Sequence, residues 1–190
     1  MSITAPASRA AALLRVESLL LGHGPADAGE ARDVDRVRAL LATGAPFARG
    51  QFAPGHLTAS ALVVDRPRER ALLVFHAKLE RWLQPGGHFE PGEVDPLVAA
   101  RREVLEETGI SARPDPQGPL LLDVDVHVIP ARKDEPAHQH FDLRLLLVAE
   151  PGVVTAGEGT RAARWFARDE LAALDLDPGL VRALRKLGLM

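Results

Sequence analysis

The segment GGHFEPGEVDPLVAARREVLEETGI, residues 86–110, sets a glycine-rich, acidic loop directly ahead of a helical run. Glu103, Glu106 and Glu107 stand at i, i+3 and i+4, so their side chains leave one face of that helix. Like charges at this spacing cost an isolated helix roughly 0.2–0.5 kcal/mol per pair. Two readings account for them: a solvated acidic face, or a cation held among the carboxylates. The loop, the glycines and the arginine around them favour the second. Hard oxygen ligands point to Mg²⁺ or Mn²⁺, and Mg²⁺ held by a few carboxylates usually also holds substrate phosphates. Asp95 and Pro96 read as N-cap and first helical position, because an Asp side chain caps free N–H groups and proline fits the first turn.

These residues resemble the Nudix box, the signature of the Nudix hydrolase family: Gly, five residues, Glu, seven residues, then Arg-Glu-apolar-x-Glu-Glu-x-Gly-apolar. Gly87 precedes Glu93 by the family interval, and Arg102, Glu103, Val104, Glu106, Glu107, Gly109 and Ile110 fill the second half. Eight residues rather than seven separate Glu93 from Arg102. Val94 is interposed between the loop glutamate and the capping Asp95, so the insertion falls in the loop and the register from Pro96 to Glu107 is kept.

The resemblance implies an α/β fold, the Nudix-type α/β/α sandwich with a mixed sheet. It implies hydrolysis of the pyrophosphate bond of a nucleoside diphosphate linked to another moiety, by water attacking phosphorus. Its metal ligands would be Glu103, Glu106, Glu107 and the main-chain carbonyl of Gly86, with Mg²⁺ as cofactor and Mn²⁺ as the alternative. Glycine at 86 and 87 lets the backbone approach a metal or phosphate without a Cβ in the way, which makes Gly87 a substrate-binding candidate. Arg102, four residues before Glu106, can orient a carboxylate or touch phosphate. For the general base three assignments stay open: Glu158 in a downstream loop, Glu93 or a helix glutamate, and Glu135.

Composition agrees with an ordinary globular enzyme. The 190 residues, 46% hydrophobic, suit one domain with an added segment. With 23 basic and 26 acidic residues the net charge is −3, which leaves no electrostatic footprint for a nucleic-acid polymer. The absence of cysteine excludes disulfides and thiol catalysis. It also counts against a third Nudix-type reading, an isoprenoid-diphosphate isomerase, since those enzymes rely on a catalytic cysteine. No apolar run approaches the roughly 18 residues of a membrane helix, and AALLRVESLLL is broken by Arg15, Glu17 and Ser18. The expectation is a cytoplasmic protein with no membrane partner.

Residues 8–22 and 27–43 carry apolar side chains at helical spacing, with GHGPADAG as the turn between them. Residues 1–50 thus form an N-terminal helical hairpin ahead of a Nudix domain over 51–190. Packing on the sheet, on a second copy of the chain as a homodimer, or over a substrate are its three open roles. HLTASALVVD and ALLVFHA read as strands, and LLLDVDVHVIP as one with Asp123, Asp125 and His127 on one face. FDLRLLLVAE is another strand, RWFARDELAAL a short strand and helix, and 178–187 a closing helix.

His138, His140 and Asp142 share one face of an extended strand, which His127 would join if the preceding strand folds back. Three roles are open: a transition-metal site of two histidines and a carboxylate, hydrogen bonding to phosphate or base, or a structural one. His140 is a substrate-binding candidate on the second, with Arg144 continuing the face as a phosphate contact. The substrate is expected to be a small nucleotide. The chain has no tyrosine, which many diadenosine-polyphosphate hydrolases place downstream of the box. Asp125 and Val126 stand where the ADP-ribose group has its proline. A non-catalytic nucleotide sensor is the alternative function, against which the intact glutamate set argues.

Overall fold

The computed structural model describes residues 9–132, 134–157 and 159–190. The element order is α1 (Arg9–Leu21), α2 (Ala28–Leu41), β1 (Gly55–Asp65), β2 (Arg70–His76), β3 (Arg81–Leu83), β4 (Gly86–His88), α3 (Pro96–Thr108), β5 (Arg113–Pro114), β6 (Leu121–Ile129), β7 (His138–Ala149), β8 (Thr160–Ala167), α4 (Arg168–Ala172) and α5 (Pro178–Lys186). Its sheet runs β3-β2-β1-β7-β5, with β4 on β1, β6 on β7 and β8 on β2. β1 and β7 are parallel from Gly55↔Gln139 to Asp65↔Ala149, while the other pairs are antiparallel, so the sheet is mixed.

The two-residue period of β1 and β7 divides the core. Leu57, Ala59, Ala61 and Val63, with Phe141, Leu143, Leu145 and Leu147, pack with Val16 and Leu20 of α1, Val34, Val37 and Leu40 of α2, and Ala99, Ala100 and Val104 of α3. On the other face Leu62, Val64, Leu146 and Val148 pack with Leu171 of α4 and Leu180, Ala183 and Leu184 of α5. The architecture is the α/β/α sandwich expected. That second face turns polar toward the starts of β1 and β7, where His56, Thr58, Ser60, His138, His140, Asp142 and Arg144 replace the apolar residues.

The N-terminal helices lie on the sheet and share its core. They also cover β6, which among the described strands pairs only with β7 and would otherwise present a free edge. Val124 N–H donates to Glu30, Val126 N–H to Asp33, and the Val126 carbonyl accepts from Arg36. From α5, Arg182 reaches the Val124 carbonyl and Lys186 the Leu122 carbonyl. Arg15 of α1 pairs with Asp95, the cap of α3, at 2.9 Å. No helix among the described residues is long and apolar enough to cross a membrane.

Candidate active site

α3 starts and stops where its sequence dictates. Asp95 Oδ1 accepts from Leu97 N–H at 2.9 Å, Pro96 fills the first turn, and Gly109 ends the helix in the left-handed region with φ 70°. Ala99, Ala100 and Val104 are buried, which fixes the rotation of the helix and brings its glutamates to the loop strand β4. β4 is held by the pairs Thr58↔His88, Ala59↔Gly87 and Ser60↔Gly86.

Both glycines of that strand are required by close approach. A Cβ on Gly86 would collide with Ser60, and one on Gly87 would fall 2.6 Å from Glu103 Oε1. Gly86 N–H donates to Glu107 Oε2 at 3.1 Å. Arg102 organises the rest: Nη1 donates to Glu103 and Glu106 at 2.9 Å each, and Nη2 to Glu93 at 2.9 Å and the His88 carbonyl at 2.8 Å. Glu93 therefore stays within the cluster although Val94 lengthens the loop.

One guanidinium thus serves Glu93, Glu103 and Glu106, and Glu107 has no cation of its own among the described contacts. Burial, with the neighbouring charges of Glu103 and Glu106, pushes Glu107 up to about 7 against the opposing Gly86 N–H bond. Burial likewise raises Glu103. Arg102 is held above its ordinary value, first by Glu93. The site carries more negative charge than its own cation neutralises.

Glu158 lies outside the described residues. Gly157 packs on the end of α3: its N–H donates to the Glu107 carbonyl at 3.0 Å, and a Cβ on it would collide with the Glu106 carbonyl. Glu135 is paired with Arg49 at 3.3 Å. Arg144 is buried and its guanidinium is committed to Asp123 at 2.9 Å. Asp142 accepts from Thr58 Oγ1 at 2.9 Å and Ser60 Oγ at 2.5 Å, so it turns to β1 rather than to its histidine neighbours; burial raises its carboxyl.

His140 stands among imidazoles from four strands. Its ring centroid is 5.0 Å from His56, 4.8 Å from His88, 5.6 Å from His127 and 5.2 Å from His138. Burial, and then the surrounding rings, push His140 down to about 2; burial and Arg49 take His88 to about 4. His56 was not legible as a member of this group from sequence, because the parallel register His56↔His140 that brings it there joins residues far apart in the chain. Among the aromatic residues, Phe75 and Trp82 pack on each other and Trp82 on Phe166. A surface hollow lined by Arg66, Arg101, Arg113 and Val153 includes none of the box carboxylates. Arg66 there pairs with Glu150, and Arg101 donates to the Ala112 carbonyl.

Residues 54–187 match the NUDIX domain. A protein of Lactococcus lactis subsp. cremoris (strain MG1363), named a probable DHNTP pyrophosphohydrolase, is 39% identical over 105 residues, covering 54% of this chain and 60% of that protein. The chain therefore matches less than two thirds of that relative's length. Among solved structures, a NUDIX-family hydrolase from Clostridium perfringens superposes with a TM-score of 0.52 at 21% identity, over 71% of this chain and 97% of the other. That likeness is one of fold.

Proposed function

The chain belongs to the NUDIX family, and from that premise we propose that it is a divalent-metal-dependent pyrophosphohydrolase acting on a small nucleotide-type substrate. The observation that carries the reading is the cluster on α3. Glu103 and Glu107 meet the two glycines of β4, and Arg102, the one cation bonded among them in the described residues, ties Glu106 to Glu103. Such an all-oxygen, over-acidic set fits Mg²⁺ or Mn²⁺, and Glu103, Glu106, Glu107 and the Gly86 carbonyl would hold it. When bound, the cation neutralises phosphate oxygens and lowers the pKa of water.

The chain's own residues do the rest. Arg102 holds Glu93, Glu103 and Glu106 in a fixed array, and Gly87 lets the Glu103 carboxylate lie against the β4 backbone. Glu158 and Glu93 are the carboxylates proposed to take the proton of the attacking water. Glu158→Gln should lower kcat about 10²-fold with KM little changed; unaltered turnover would hand the base role to Glu93. Arg102→Lys keeps the charge but loses the planar fork that reaches Glu93, Glu103 and Glu106 together. About a tenfold fall in kcat/KM is expected, roughly 1.4 kcal/mol, and native kinetics would show that the array needs no fork.

The Lactococcus relative's name adds DHNTP to the candidate substrates. The test is release of phosphate or pyrophosphate from a panel of dNTPs, oxidised dGTP, DHNTP, ADP-ribose, nucleotide sugars and dinucleotides, with Mg²⁺, with Mn²⁺ and with chelator. Metal-dependent turnover of at least one member is expected. Folded protein that turns over none would overturn the reading in favour of a nucleotide sensor.

A further inference from the structure

A second set of ligating side chains lies outside the carboxylate cluster, at the polar end of the sheet. His56 comes from the start of β1, and His138 and His140 from the start of β7. One donor atom from each of the three lies within 4.8 Å of the other two. Hydrogen bonds fix the tautomers of two of them. His56 Nδ1 is 3.1 Å from the Gln51 carbonyl oxygen, and His138 Nδ1 is 2.8 Å from that of Pro136. A carbonyl only accepts, so in both rings Nδ1 carries the proton and Nε2 keeps a lone pair. This is the outer-shell arrangement by which proteins orient a metal-binding histidine.

His56 supplies the second observation. Its side chain has no solvent exposure, and its Nε2 has no hydrogen-bond partner. A fully buried polar atom without a partner is rare and calls for an unseen one. His88, on β4, brings its Nε2 to 3.2 Å from His140 Nε2. Two imidazole nitrogens bound to one tetrahedral ion at about 2.0–2.1 Å stand about 3.3 Å apart.

We propose that His56, His138 and His140, with His88 in reach of the fourth position, form a binding site for a divalent transition ion of the zinc class. Imidazole nitrogen suits such ions and not Mg²⁺, so the site is distinct in chemistry from the α3 cluster and stands independently of the hydrolase reading. Asp142 lies next on the same face but is taken up by Thr58 and Ser60, which leaves an all-nitrogen ligand set. The ion joins β1 to β7 and, through His88, to the strand that carries Gly86 and Gly87.

Co²⁺ is the probe, since four-coordinate and six-coordinate Co²⁺ differ strongly in visible absorption. Chelator-treated full-length protein is titrated with Co²⁺ and then challenged with Zn²⁺ and, separately, with excess Mg²⁺. Intense four-coordinate bands that saturate at one Co²⁺ per chain, are displaced by Zn²⁺ and are untouched by Mg²⁺, are expected. His140→Ala and His138→Gln should each weaken uptake at least 100-fold while circular dichroism stays native, and the Glu106→Gln plus Glu107→Gln protein should keep the bands. Having two separate histidine variants guards against one failing to fold. Weak six-coordinate bands alone, four-coordinate bands lost in the glutamate variant but kept in the histidine variants, or no uptake at all would each overturn the proposal and leave the rings as packed imidazoles.

Discussion

The Glu106→Gln plus Glu107→Gln protein is expected to lose turnover by about 10³-fold or more while folding at least as well as the native chain. Glutamine keeps the length and helix preference of glutamate but cannot supply an anionic oxygen. Each lost charge-stabilising contact in a reacting site is worth about 2.7–4 kcal/mol, so removing two exceeds a thousandfold. Stability moves the other way. The like-charge spacing on α3 costs roughly 0.2–0.5 kcal/mol per pair, and the substitution removes it. It also removes the burial cost that pushes Glu107 up to about 7. In chelator, the variant should therefore melt no lower than the native protein. Adding Mg²⁺ separates them again: a native protein at 100 times its dissociation constant gains about 2.7 kcal/mol, and the variant gains little. Kinetics and melting with and without Mg²⁺ check both halves. Near-native turnover would remove these glutamates from the reaction, and an equal Mg²⁺ stabilisation of both proteins would place the ion elsewhere.

The sequence was most informative where local chemistry decides structure. Asp95, Pro96 and Gly109 mark the two ends of α3, and the box spacing sets its acidic face. The alternation of β6 around Val124, Val126 and Val128 is readable too. What escaped was whatever depends on long-range register. β4 is three residues long, two of them glycine, and is extended because Thr58–Ser60 pair with it rather than through any preference of its own. His56 looks like any histidine at the head of a strand until β1 and β7 align in parallel. Asp142 shares a strand face with His138 and His140, as its spacing suggested, but two hydroxyls from β1 engage its carboxylate. Arg144 continues that face as predicted, yet its partner Asp123 lies on the neighbouring strand and draws it into the interior.

The second large effect is expected far from the box, at Glu30. Its carboxylate is fully buried and saturated with donors. Oε1 accepts from Lys186 Nζ at 2.5 Å and Val124 N–H at 3.2 Å, and pairs with His23 Nε2 at 2.8 Å. Oε2 accepts from Ala26 N–H at 2.6 Å. Lys186 and Arg182 continue to Asp123, and Asp123 to Arg144, so one ionic network ties α2 and α5 to β6 and β7. Glu30→Gln turns an amide toward the Ala26 and Val124 N–H donors and leaves Lys186 with Asp123 alone as its carboxylate partner. Breaking one partner out of a buried ion pair costs about 3–5 kcal/mol, which for a chain of this size lowers Tm by about 10 °C.

The pH dependence has a definite sign. Burial alone would raise the Glu30 carboxyl, but the bonds from His23, Lys186 and Ala26 hold it well below the ordinary carboxylate range. A depressed folded-state value means that the contribution is fully present above the unfolded value, roughly 4.3, and is lost as pH falls below it toward the folded one. Native protein and Glu30→Gln should therefore differ most near pH 7 and converge as the medium is acidified below about 4. Urea unfolding of both proteins across that range is the measurement. A constant gap would mean that the cost is one of packing rather than charge, and no gap at pH 7 would show that the network adds nothing to what the apolar faces of α2 and α5 already supply.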